Sequence, residues 1–163
     1  MQQQVKRNSV IYMKHAILSA SYPIILNGCF DSTMVSLVEF IITHKFQHIR
    51  LINMEFKPTK THKGCMGEYI AAADPESPYI NKEDVVVICT GHSTREVLRT
   101  IIHEFRHAEQ THYKLFPTRK ELHQKLGDNY GPDAVKKLRR KKEKDARDYE
   151  IPTLNEFEAL KDL

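Results

Sequence analysis

The 163-residue sequence predicts an α+β fold, on three observations. A helical apolar stripe comes first, short runs of strand composition follow, and strongly helical segments fill the last third. That order of helix, strands and helices differs from an alternation of βαβ units, and its length suits one domain spanning residues 1–163.

The first helix is expected from Asp31, a good N-cap, to about Lys45. Its apolar positions Met34, Leu37, Val38, Ile41 and Ile42 follow the 3, 4, 7, 8 spacing of one buried face. The period then changes: Ile52, Met54 and Phe56 alternate with Asn53, Glu55 and Lys57, the mark of a half-buried strand that Pro58 ends. Residues 65–73 suit a second strand before a turn-rich stretch, Asp74–Pro78. Val85, Val86, Val87, Ile88 and Cys89 have the composition of a strand buried on both faces. Gly91 breaks that run, and Ser93 with Glu96 forms a capping box for the next helix. Val97, Leu98, Ile101, Ile102, Phe105 and Ala108 carry this helix to about Tyr113. A polar region with Gly127, Gly131 and Pro132 follows. Residues 133–149 read as a charged helix stopped by Pro152, and Thr153 with Glu156 opens a short final one.

Composition narrows the function classes. Hydrophobic residues are 40% and charged residues 28%, ordinary values for a globular protein. No apolar run approaches the ~20 residues of a membrane span, since Glu39 and Pro23 interrupt the longest candidates. The start, Met1 to Arg7, lacks the apolar segment and cleavage site of a secretory signal, so a cytoplasmic protein is expected. Cys29, Cys65 and Cys89 are an odd set without a C-x-x-C pair, which argues against a disulfide framework or a zinc ribbon and for buried, reduced thiols. The formal charge of +4 is mild. Much of the excess lies in residues 136–144, a stretch basic enough to contact phosphates. It has no interleaved aromatic residue, and acids follow it at once, so ion pairs along a solvated helix face are its simpler reading.

The chemistry concentrates in His103-Glu104-Phe105-Arg106-His107. Four residues apart on a helix, His103 and His107 present both imidazoles on one face, able to grip one zinc ion at ~2.0–2.1 Å. Glu104 lies about 100° round the helix, beside the metal, where it can take a proton from water. A chance match to this pattern has a probability of about 4% in a chain of this make-up, and the bland alternative is a pair of surface histidines. The independently capped helix favours the metal reading. Catalytic zinc needs a third protein ligand, and Glu156, Glu150 and His123 are the candidates. A metzincin would place its third histidine where Tyr113 stands.

With these residues, the chain resembles the minimal zincin-like metallopeptidases, from about Gly67 to Ala159. The stretch Ile101–Gln110 is similar to a helix of small phage and bacterial peptidases, where a Pro and then an E-x-E-A element come later. Here that element corresponds to Pro152 and Glu156-Phe157-Glu158-Ala159, similar to glutamate-ligand zincins of the ImmA/IrrE type. The resemblance implies a small mixed sheet packed on the N-terminal helix and the HExxH helix, with further helices at the C-terminus. It implies Zn2+ held by His103, His107 and Glu156, Glu104 as general base, and a protein or peptide substrate. A phage-encoded member would act in the host cytoplasm. Tyr149, Tyr113 and Arg106 are chemically suited to stabilise an oxyanion. Residues 67–72 suit a sheet edge to which substrate adds. The competing expectations are a nucleic-acid-associated protein using the basic helix 136–144, or a zincin fold used for binding alone.

Overall fold

In the computed structural model, residues 13–18, 24–46, 51–72 and 83–161 are described. The expected turn-rich stretch Asp74–Pro78 lies outside them. Among the described residues the architecture is α+β, a five-stranded mixed sheet with four helices. In chain order these are β1 (Met13–Leu18), β2 (Ile24–Phe30), α1 (Ser32–His44), β3 (Ile52–Lys57), β4 (Gly67–Ile70), β5 (Asp84–Cys89), α2 (Thr94–His112), α3 (Arg119–Leu126) and α4 (Pro132–Lys161). The strand order is β1-β2-β3-β5-β4. β2, β3 and β5 are parallel, while β1 and β4 run antiparallel to their neighbours.

Three expected elements keep their bounds almost to the residue. Asp31 caps α1 by accepting from the Met34 N–H at 3.0 Å. β3 alternates buried and half-buried positions from Ile52 to Lys57. Both halves of the Ser93–Glu96 capping box form, and α2 ends with Tyr113 as C-cap.

The N-terminal strands were not expected. Pro23, Asn27 and Gly28 bracket a short apolar run like turn residues, but Gly28 sits inside β2 at φ +104°. A Cβ there would lie 2.1 Å from the Phe56 carbonyl oxygen, so only glycine lets β3 approach this closely. With α1 between parallel β2 and β3, the chain also contains one βαβ unit.

The C-terminal region differs too. The expected stop at Pro152 does not occur, and α4 runs through it. Pro152 is exposed. The carbonyl it leaves without a partner belongs to exposed Asp148, where water can satisfy it. The inner face of α4 buries Ala146, Glu150, Thr153, Leu154 and Phe157. Burying Leu154 and Phe157 contributes about 1.5–3 kcal/mol each, enough to offset the ~3 kcal/mol cost of an interior proline. Thr153 is therefore no cap: it is buried and shares a hydrogen bond with Tyr149. The polar region after Pro117 contains α3, whose Thr118–Glu121 capping box was present in the sequence as a signal.

One face of the sheet builds the main core. Registered rows Leu26–Met54–Val86–Tyr69 and Gly28–Phe56–Ile88–Gly67 cross it towards α1 and α2. Ile70, Val85 and Val87 form a second apolar cluster. Cys89 is buried as expected, but Cys29 is half-buried and Cys65 exposed, all three as free thiols.

A buried polar clamp ties the end of α2 to β4 and β5. Asp84 accepts from Tyr69 Oη at 3.1 Å and the Ala72 N–H at 2.8 Å, and its other partner is His112 Nε2 at 2.5 Å. Burial pushes the Asp84 carboxyl up, but these hydrogen bonds outweigh burial and hold it below its usual value. A depressed carboxyl stabilises the fold above its unfolded pKa of about 3.9, and that stabilisation is lost as pH falls through the lower folded value. Denaturant melts at stepped pH should therefore show Asp84→Asn less stable than the unmodified protein at pH 5–7, with the gap closing below about pH 4. A gap constant down to pH 2 would contradict this role.

Candidate metal centre

Helices α2 and α4 pack side by side, α2 also packs against edge strand β4, and the facing side chains of the two helices make the site. His103 and His107 project from one face of α2, each side chain 16% exposed. Their Nε2 atoms lie 3.1 Å apart. Glu143 on α4 completes the group, with Oε2 3.3 Å from His103 Nε2 and Oε1 3.4 Å from His107 Nε2. Neighbouring donors of a tetrahedral ion with bonds of ~2.0–2.1 Å are about 3.3–3.4 Å apart. Each Nε2 thus has a Glu143 oxygen at that spacing, a different oxygen for each ring, and among the described residues this triangle is the group whose ligand atoms lie within 4.8 Å of one another.

The hydrogen bonds behind the rings fix their tautomers. Gln110 Nε2 donates to the Lys142 carbonyl at 3.0 Å and to Asp145 Oδ2 at 2.8 Å. Its Oε1 is left to accept, and His107 Nδ1 lies 3.0 Å from it. His107 therefore carries its proton on Nδ1. Arg99 donates to Glu150 Oε2 through Nε at 2.9 Å and pairs with it through Nη2 at 2.8 Å. Glu150 Oε1 in turn accepts from the Nδ1–H of His103 at 2.9 Å. Both Nε2 atoms then bear lone pairs that face one another and a carboxylate, an arrangement that calls for a cation. Burial, together with the nearby His103, holds His107 below its usual pKa, which favours the neutral ligand form.

Glu104 is buried under β4 and lines the same cleft as the triangle. A Cβ on Gly67 would lie 2.8 Å from Glu104 Oε1 and 2.7 Å from Thr100 Cγ2, so glycine is required for the strand to cover α2 this closely. Burial and the neighbouring Glu143 carboxylate push Glu104 up to about 8, opposed by the Tyr69 backbone N–H. A cleft of about 540 Å3 opens here, lined by Gly67, Glu68 and Tyr69 on one side, α2 along the floor, and Glu143, Arg147 and Glu150 opposite.

The expected site residues separate into two sets. His103, Glu104, His107 and Glu150 meet in this cleft, with Glu150 behind His103 rather than in the ligand triangle. Glu156 does not join them: it lies two turns further along the continuous α4 and pairs with Lys45. His123 is on α3, its ring 4.7 Å from that of Tyr130. Of the oxyanion candidates, Arg106 is committed to Asp145 at 2.7 and 3.2 Å and to Glu109 at 2.6 Å. It lies 4.5 Å above the Tyr149 ring. Tyr113 stands edge-on to Phe46. None of the three lines the cleft.

Sequence reasoning missed Glu143, hidden within the basic stretch. Its signal was its spacing: Glu143 and Glu150 are seven apart, two turns along one helix face, with small Ala146 between them. Arg147 was also missed. No family model, curated protein or solved structure matches the chain.

Proposed function

We propose that the protein is a zinc-dependent peptidase of the zincin-like kind, with His103, His107 and Glu143 as ligands and Glu104 as general base. The observation that carries this reading is the pair of imidazole Nε2 atoms 3.1 Å apart beside a carboxylate. Two imidazoles and one carboxylate are a donor set for catalytic zinc, with a fourth position left for water or substrate. When bound, zinc supplies a Lewis acid that lowers the pKa of water to ~7 and polarises the scissile carbonyl.

The chain's own residues supply the rest. Glu104 takes the proton of the attacking water and passes it to the leaving amine. Glu150 and Gln110 hold the two rings in the ligand tautomer. β4, at the edge of the sheet, offers backbone groups beside the cleft for an extended peptide to pair with. Among the described residues no helix is long and apolar enough to cross a membrane.

Elemental analysis should find about one zinc per chain, and a chelator should abolish hydrolysis of an unstructured peptide that added zinc restores. A protein that takes up no zinc at micromolar concentration would end this reading.

A further inference from the structure

The charged stretch of α4 is not the self-neutralised face its sequence suggests. One intrahelical pair forms within or beside it, Lys144 with Asp148. Lys136, Arg139, Arg140 and Arg147 are exposed and have no acidic partner among the described residues. Their positions are ordered relative to the proposed ligand Glu143. They stand at i−7, i−4, i−3 and i+4, the spacings that share one side of a helix. These cations therefore lie in a row along the side of α4 that carries Glu143, and Arg147 itself lines the cleft.

Eleven residues separate Lys136 from Arg147, about 16 Å of helix axis. An extended peptide covers that distance with roughly five residues. The cleft also holds five acids. Glu68 lies near His62 and Lys63, Glu150 pairs with Arg99, Glu96 accepts from Ser93, and Glu104 and Glu143 belong to the proposed centre. On the side of α4 that carries Glu143, the exposed cations Lys136, Arg139 and Arg140 come before it and Arg147 after it.

We propose that the cleft selects acidic peptides, with Asp or Glu side chains on either side of the scissile bond held by Arg139 and Arg140 at one end and Arg147 at the other. This rests on the peptidase reading for the position of the scissile bond, though the cation row can be tested without turnover. Substrate pairing through β4 sets the backbone, and the row on α4 reads the charge of its side chains.

The test uses the zinc-loaded full-length Glu104→Gln protein and three labelled peptides. These are identical except for Glu, Ala or Lys at the two positions on each side of a central Leu-Phe pair. Fluorescence anisotropy at low salt should give roughly tenfold tighter binding for the Glu peptide than for the Lys peptide, fading as salt rises. Arg140→Glu combined with Arg147→Glu should invert the order. Both side chains are exposed, and zinc content and circular dichroism check the fold, with the double Gln variant as the milder form. Equal or absent binding of all three peptides overturns the proposal. So does a duplex DNA of equal charge that binds more tightly and displaces the Glu peptide, which would make the row a nucleic-acid contact. The underlying reading fails separately, if the unmodified zinc-loaded protein hydrolyses none of the peptides while the Glu preference in binding persists.

Discussion

Glu143→Ala should lose zinc, while Glu156→Ala should bind it as the unmodified protein does. The expectation follows from where α4 puts the two carboxylates. Glu143 stands 3.3 and 3.4 Å from the two Nε2 atoms, whereas Glu156 pairs with Lys45. Glu150→Gln gives the intermediate case. Its carboxylate orients His103 and strengthens its basicity, an outer contribution typically worth 10–100-fold in metal affinity. Removing a ligand should exceed that, so the affinities should fall in the order Glu156→Ala, Glu150→Gln, Glu143→Ala. Competition titration with a zinc chelator measures all three. A Glu143→Ala protein that keeps unmodified affinity would move the third ligand elsewhere, and a Glu156→Ala protein that loses zinc would restore the assignment the sequence pattern favours.

The contrast between those carboxylates also shows what the sequence carried. Elements with a strong local signature were legible: the Asp31 cap and stripe of α1, the alternation of β3, and the capping box and apolar face of α2. His103, Glu104 and His107 were legible because a single helix sets their relation, and the 3.6-residue period suffices to place them. The proposed third ligand depends on how two helices pack, which no local spacing encodes. Pro152 made that worse. Taken as a stop, it split α4 and gave Thr153 and Glu156 the look of a new helix start, whereas burial of Leu154 and Phe157 keeps the helix whole. β2 carried no such local signature, and a glycine inside it makes sense only once the close approach of β3 is known.

The Glu104→Gln protein should bind zinc normally and lose nearly all turnover, with kcat down by about 10²–10⁴-fold, the range for removing a general acid–base group. The substitution keeps size and shape, which matters at this position. Gly67 and Thr100 close over the side chain so tightly that a larger or differently shaped residue would displace β4. Glutamine fits the space but cannot accept a proton, so the variant separates the chemistry from the packing. Because Glu104 is buried beside Glu143, replacing it with a neutral group also removes an electrostatic cost to folding. The thermal midpoint should therefore be no lower than that of the unmodified protein. KM should change little, since the carboxylate acts on water and the leaving amine and not on the substrate's flanking side chains. If kcat survives the change, the proton is handled by another group and Glu104 is only a packed carboxyl. If kcat and zinc are lost together, the residue serves the metal. Loss of kcat with zinc and stability intact is the result that makes Glu104 the base.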